Sequence, residues 1–449
     1  MAYKNLTALN VVNVINQEVN KVYATTLPAV TAATFSNMAA QLRKAPQPVQ
    51  NAWHENLVNL VGMQLVKNKR AFESYFRKLH LGEIATFDIQ LQMMDLINAR
   101  SYSPDADSDD FFEDEKPDIA TQYANSVAKL KFPVSINEEN LYGAFISQDA
   151  FMNYMGTIET QLYSSLEMAD VTLVKQLISQ NVAEGNIYLV PTAKVVDQAT
   201  ALGFTAKLKS IASDMSVEMS PKYNLSGYNT WTPKDEGVII SDTDTQAVTE
   251  TYSLAWAFNK EYLALEQGGQ AITMANDSIA DGAVFALYAD RYAFEIRNIV
   301  GFPKTVSQYF GNTLTLKRWL HYWALYTISY FNNIVGFADS TKVAAAADIN
   351  TIAIATRSGS AAMNKGASDQ VYVSALALTT AATTAGKVFD KFGDYSISGN
   401  NSANTVIDAK SGKITIGKDE TASTVTVTFT SHLDSTVTAT LAITVNGNA

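Results

Sequence analysis

The sequence predicts an α+β body followed by a separate all-β module. Three observations carry that prediction: a composition break near Thr341, a long helical signal over 147–181, and paired segments in which apolar residues alternate with polar ones. All five Trp lie before the break, and of the twelve Met only Met363 lies after it. Past the break, Val425-Thr-Val-Thr-Phe429 and Val437-Thr-Ala-Thr-Leu-Ala-Ile-Thr-Val445 alternate with period two on either side of a short polar gap. That is the pattern of a hairpin with one buried face. With strand-like pieces at 369–378 and 413–416 it predicts a small antiparallel sandwich over 341–449.

The body is organised by its helix. Ser147 stands where a cap is needed and Asp149 falls in the first turn. Phe151, Tyr154, Met155, Ile158, Leu162, Leu166, Ala169, Leu173 and Leu177 then mark one face. Such a helix is roughly 50 Å long, as wide as a compact globule of about 340 residues. It therefore predicts a spine crossing a flattened or elongated domain. The alternative is two helices broken near Gly156 or Thr172.

Ahead of the spine, Phe87, Ile89, Leu91 and Met93 alternate with polar residues, and so do Leu130, Phe132, Val134 and Ile136. Pro133 removes a ladder donor, which places the second strand at an edge. Between them runs a segment with seven acids in eleven residues: Asp105, Asp107, Asp109, Asp110, Glu113, Asp114 and Glu115. It is too charged to pack by itself. The expectation is a two-stranded ribbon over 67–138 with an acidic tip, needing a neighbour to lie on. An ordinary hairpin with a disordered insertion fits the same pattern. At the ribbon's base, Lys67, Lys69, Arg70, Arg77 and Lys78 form a basic run. Acidic tip and basic run together are the candidate inter-subunit contacts.

Downstream, 193–217 reads as a helix, 220–236 as turn-rich loop, 237–240 as a short buried strand and 245–258 as a helix. Val284–Tyr288 and Tyr292–Ile296 read as strands joined through Asp290. Leu316 to Phe337 is apolar on both parities and reads as one strand buried on both faces, though its crowded aromatic residues also suit a sugar-binding cleft. At the other end, Leu6, Leu9, Val12, Ile15, Val19 and Val22 predict an amphipathic helix rather than a secretory leader.

Composition narrows the function. A net charge of −11 argues against a nucleic-acid-binding surface as the main business of the chain. No run of eighteen apolar residues predicts a transmembrane helix. Without Cys there are no disulfides and no thiolate sites. His54, His80, His321 and His432 lie far apart, and no phosphate-binding, hydrolase or metalloprotease motif occurs. No catalytic residue, cofactor or metal is therefore expected.

The order of elements, together with Phe112-Glu-Asp-Glu-Lys-Pro117, Phe151 to Asn181, Val238 to Asn259, Val284 to Asn298 and Trp319 to Phe337, resembles the major capsid proteins of phi-29-like short-tailed bacteriophages. The resemblance runs over most of 50–449, by pattern alone in the tail, with no clear match in the first fifty residues. It implies a Hong Kong 97-type capsid fold followed by a bacterial Ig-like group 2 domain. Its parts would be an N-terminal arm (1–66), an extended loop (67–138), a peripheral domain (139–219 and 296–340) with the 147–181 spine, an axial domain (220–295) and the Ig-like domain (341–449). It implies a non-enzymatic protein of the virion, assembled in the host cytoplasm. Its partners would be itself in pentamers and hexamers, a scaffolding protein and a portal. DNA would be enclosed without specific binding, no membrane would be engaged, and 341–449 could meet a host-surface glycan. Two competing readings are a surface adhesin or S-layer-like protein, and a carbohydrate-active enzyme needing a carboxylate pair in an aromatic cleft.

Overall fold

The computed structural model describes residues 8–23, 27–62, 72–97, 118–137, 143, 148–256, 270–310, 313 and 315–447. One helix, Gln148–Ala183, runs unbroken for 36 residues through Gly156 and Thr172, which excludes the two-helix alternative. At about 1.5 Å per residue it is about 54 Å long. Hydroxyl residues are tolerated along it because Thr157, Thr160, Ser165 and Thr172 each donate to the carbonyl four residues back.

The spine serves two cores. Its first turns place Phe151 and Met155 in a cluster with the helices Ala8–Tyr23, Met38–Lys44 and Gln47–Gly62. Val11, Val12, Ile15 and Val19 are buried there, whereas Val22, expected on the same face, is exposed in the last turn of its helix. Trp53 is fully buried and its indole N–H donates to Asn16 Oδ1 at 2.9 Å. Over its described residues the segment expected as an arm is thus a packed helical cluster, because its apolar stripes find partners on the spine.

The later turns place Leu162, Leu166, Val174, Ile178 and Val182 in the larger core. One sheet there contains β1 (His80–Ile84), β9 (Phe294–Ile299), β11 (Thr315–Ile328) and β10 (Lys304–Phe310), with β4 (Val127–Asn137) against β11. The other runs β5 (Tyr188–Thr192), β12 (Ile334–Asp339), β8 (Val284–Asp290), β6 (Gly237–Asp242) and β7 (Gln270–Met274). Helix Gln198–Val217 covers the second sheet; Asp197 caps it, accepting from Thr200 N at 2.9 Å.

Two strand readings are corrected. The apolar run 316–337 is two strands in two sheets, because residues 329–333 turn and satisfy their polar groups elsewhere: Ser329 N donates to Ala293 O at 2.8 Å, and Asn333 O accepts from Asp290 N at 3.0 Å. The alternating segments 87–93 and 130–136 do not pair with each other. β2 (Ile89–Met94) pairs with β3 (Ile119–Ala124), while β4 pairs with β11 and sets Pro133 opposite Trp319. The spine explains it: Leu130, Phe132 and Val134 are needed over the core beneath. Pro133 is tolerated because β4 has β11 on one side only.

Past Asp339 the chain forms a sandwich of two four-stranded sheets. One is β13 (Ile349–Thr356), β15 (Ser368–Leu378), β18 (Lys413–Thr415) and β17 (Val406–Ile407); the other is β14 (Ala362–Asn364), β20 (Thr438–Asn446), β19 (Thr424–Ser431) and β16 (Gly393–Ser398). Ile354, Val371 and Ile414 of the first face Met363, Val427, Phe429 and Ile443 of the second. The expected hairpin is β19–β20, with Val427 opposite Leu441.

Candidate functional site

The spine helix carries three carboxylates inward, and each meets a group from a distant part of the chain. Glu159 pairs with Arg318 of β11 through two contacts, at 2.5 and 3.0 Å, with both side chains almost fully buried. Burial pushes the Glu159 carboxyl up, against the pull of the guanidinium. Glu167 accepts from Arg77 Nη1 at 3.0 Å and from Ser74 N at 3.2 Å. Asp170 accepts from the Tyr326 hydroxyl and lies 3.2 Å from His80 Nε2. Burial, reinforced by the Asp170 charge, pushes the Tyr326 phenol far above its ordinary range. The root of the ribbon, residues 74–80, is therefore pinned to the middle of the spine.

This locates two of the predicted contact residues. Arg77 is engaged by Glu167 of its own chain, and the Lys78 ammonium sits 5.8 Å from the Tyr75 ring. Lys67, Lys69, Arg70 and the whole acidic segment Asp105–Glu115 lie outside the described residues. The pairing of tip with basic run is thus neither assembled nor excluded by the geometry.

The described part of the ribbon lies on its own subunit. Gln122 of β3 donates to Ile328 O at 2.8 Å and accepts from Tyr330 N at 2.9 Å. Leu91 and Met93 of β2 pack against Ala120, Tyr228 and Phe331. The expected need for a neighbour as support is met within the chain. What the ribbon offers outward is apolar: Met94, Leu96, Ile97, Ile119 and Tyr123 are each more than half exposed.

The loop read as merely turn-rich, 220–236, is a hub between ribbon, body and sandwich. Asn224 Nδ2 donates to Tyr228 O at 2.8 Å, and Ser226 N donates to Tyr330 O at 3.0 Å. Gly227 has a φ of +70°, and a Cβ there would meet the Gln370 side-chain amide at 2.5 Å and Ser411 O at 2.8 Å, both from the sandwich. Gly185 does the same after the spine: at φ +73° its Cβ would meet Leu376 at 2.8 Å and Phe389 O at 3.0 Å.

Between these glycines the seam is polar and buried. Asp390, fully buried, accepts from Leu189 N at 2.7 Å and Phe392 N at 3.1 Å and lies 2.8 Å from His432 Nε2. Burial raises its pKa, offset in part by His432. The His432 ring stacks on Tyr188 of the body, with centroids 4.2 Å apart. Beside it a cavity of about 520 Å³ is lined by Tyr188, Tyr330, Tyr372, Arg357 and Lys391. Among the described residues no group of three or more His, Asp or Glu could hold a metal ion, and no helix is long and apolar enough to cross a membrane.

A spined α+β body, a rooted ribbon and a docked sandwich are what the described residues assemble. The chain belongs to the Phi29-like phage major capsid protein family, whose model matches residues 12–338. It is 27% identical over 314 residues to the major capsid protein of Bacillus phage GA-1, which covers 67% of this chain and 63% of that protein. It is 23% identical over 347 residues to the major capsid protein of Bacillus phage B103, covering 76% and 75% respectively. The chain thus spans just under two thirds of the GA-1 protein. Its structure is similar to a capsid chain of Staphylococcus phage Andhra (TM-score 0.48, 12% identity, 61% of this chain and 86% of that one). It is likewise similar to one of cyanophage P-SCSP1u (TM-score 0.44, 13% identity, 61% and 91%). The family match corrects one expectation: it begins at residue 12, inside the stretch read as unmatched, and it stops short of the sandwich.

Proposed function

We propose that copies of this chain form pentamers and hexamers that close into an icosahedral or prolate shell of the Hong Kong 97 type. A scaffolding protein and a portal would guide assembly, and the genome would be enclosed without specific binding. The observation that carries the reading is the family match over 12–338, and the continuous 36-residue spine supports it. A shell unit works through repeated, closed contacts. A chain of net charge −11 that does not grip DNA leaves packaging and ejection unhindered. Negative-stain imaging of the purified protein, with and without a phage scaffold, tests this. Closed particles or capsomer sheets are expected; a strictly monomeric species under every assembly condition overturns it.

Within that shell, 67–138 serves as the extended loop, 220–295 as the axial domain and 139–219 with 296–340 as the peripheral domain. We read the sandwich as Ig-like, in keeping with its two four-stranded sheets, and place it on the outer face, where it reinforces the shell or meets a host-surface glycan. Truncation after Asp339 should leave a folded body. Insoluble body protein together with an unfolded 341–449 fragment would mean that the boundary is misplaced.

We propose that the acidic segment, Asp105 to Glu115, meets a basic patch of the adjoining subunit, with Lys67, Lys69, Arg70 and Lys78 the groups left for it now that Arg77 is held by Glu167. Each exposed pair adds at most about 1 kcal/mol, but symmetry repeats it at every contact. Replacing Asp107, Asp109, Asp110 and Asp114 by Asn should weaken assembly and flatten its salt dependence, with the fold of the subunit unchanged. Assembly with an unaltered salt profile would remove this contact from the scheme.

A further inference from the structure

The end of the β2–β3 ladder away from the ribbon's root presents an electrostatic problem that the body does not solve. Asp95, just past β2, donates its N–H to Asp118 O at 3.1 Å, so the two residues face each other where the strands end. Two carboxylates held side by side repel unless a cation stands between them. Among the described residues, the cation at ion-pair distance comes from the sandwich: Lys413 Nζ of β18 is 3.1 Å from Asp118 Oδ2 and 3.7 Å from Asp95 Oδ2. A second sandwich cation acts through the hub loop. Arg357 Nη1 donates to the Tyr228 hydroxyl at 2.6 Å, and that hydroxyl donates to Asp118 Oδ1 at 2.8 Å. Asn229 completes the set, its Nδ2 donating to Asp95 Oδ1 at 3.1 Å.

We infer that the C-terminal sandwich is a clasp for the ribbon of its own chain, with the start of β18 as the docking surface and the Asp95–Asp118 pair as the partner it fits. Several observations converge on this. The pair sits just past β2 and just before β3, so neutralising it holds the strand ends together. Lys413 follows Gly412, whose φ of +69° and close approach to Val371 O shape the turn that presents it. On the other side of the clasp, Gly227 is pressed against Gln370 and Ser411, and Gln370 is the residue of β15 opposite Lys413. The net effect on Asp118 fits a carboxylate held in its charged form: burial acts to raise its pKa, but the Tyr228 hydroxyl, Lys413 and Arg357 outweigh it and lower it. The sandwich therefore has a task inside the subunit, namely to fix where the ribbon ends before any neighbour arrives.

Hydrogen exchange on the unassembled full-length subunit tests the clasp, independently of whether shells form. In Lys413→Ala, amides of 89–95 and 118–124 should exchange about fivefold faster, the most that one exposed pair and the exposed repulsion supply, with the spine helix unchanged. Lys413→Arg should restore the protection. The decisive arm is suppression: adding Asp95→Asn to Lys413→Ala should return exchange toward the parent value, because the repulsion is gone. Should Lys413→Ala disturb the sandwich itself, Arg357→Lys, which weakens the Tyr228 relay while leaving β18 intact, gives a smaller loosening confined to the same amides. Unchanged exchange at 89–95 and 118–124 in Lys413→Ala, or loosening that Asp95→Asn deepens, overturns the inference.

Discussion

Body and sandwich bury their charge in different ways. In the body the charges lie in the middle: Glu159, Glu167, Asp170 and Arg318 are all buried, and they join the spine helix to strands and segments far away in sequence. In the sandwich the core between the sheets is apolar, with Val, Ile, Phe, Met and Tyr facing one another. Its buried carboxylates, Asp390 and Glu420, stand in loops between the strands and gather backbone N–H groups. The difference teaches how each part finds its position. A paired strand is held in register by its hydrophobic alternation and its turn, but a long helix can slide or rotate over a sheet, and a buried charge with one matching partner fixes its register.

The largest effect should come from splitting the central pair. Glu159→Ala leaves Arg318 buried without its partner, a loss of about 3–5 kcal/mol, visible as a large drop in the denaturant midpoint. Replacing both, Glu159→Met with Arg318→Met, should recover most of it. If the double variant is as unstable as the single one, packing volume rather than charge pairing holds the spine, and the contrast between the regions fails.

Asp390 comes next, at the junction of the two regions. Asp390→Ala strands the buried Leu189 N–H and removes the partner of His432; an unsatisfied buried donor costs about 1–3 kcal/mol. Loosening should concentrate in 185–192 and 388–393, as read by hydrogen exchange, with β19 and β20 still protected. A uniform loss over the whole sandwich would mean that the seam and the sandwich core unfold as one unit.

A smaller effect is expected from Asp170→Asn. The amide keeps an oxygen for the Tyr326 hydroxyl but loses the charge-assisted part of that bond, about 1 kcal/mol. The Tyr326 phenol, no longer facing an anion, should titrate at lower pH than in the parent, though burial still holds it high. Denaturant unfolding of the variant checks the loss, and an unchanged midpoint would detach Asp170 from Tyr326.

These particulars mark what was legible in the sequence. Alternation gave β15, β18, β19 and β20 nearly to the residue, because each strand has one buried face and short connections. The spine was legible from apolar spacing, but its three inward carboxylates were not, since a helical Glu reads as solvated until its partner is placed. Arg318 is 159 residues from Glu159. The pairing of 87–93 was misread because both candidate strands alternate and only tertiary packing chooses between them. The split of 316–337 was hidden by aromatic and aliphatic residues continuing through the turn. The hub role of 220–236 was invisible for the opposite reason: its Asn, Ser and Gly are ordinary turn residues, and only the sandwich packed against them gives them partners. Lys413 and the Asp95–Asp118 pair lie hundreds of residues apart, and no local pattern joins them.

The finest test of the contrast is the pH response of the sandwich. Glu420 accepts from Thr405 Oγ1 at 2.6 Å and from the N–H groups of Asn401, Thr421 and Ala422 at 2.9 Å each. The Thr405 hydroxyl above all, with the Ala422 N–H next, holds its carboxyl down at about 2. A carboxylate lowered in this way contributes stability that is fully present above its ordinary value near 4.5 and is lost as pH falls toward 2. Asp419 beside it, lowered through Ser402 and Asn404, titrates in the same direction and adds to the slope. Glu420→Gln keeps an acceptor but cannot lose a charge. Calorimetric melting of the full chain should therefore show the variant below the parent near pH 6, with the two curves converging as the solution is acidified through the window between those values. Curves that stay parallel would show that the loop is held by its hydrogen-bond geometry alone, and that the sandwich, unlike the body, places no weight on charge at all.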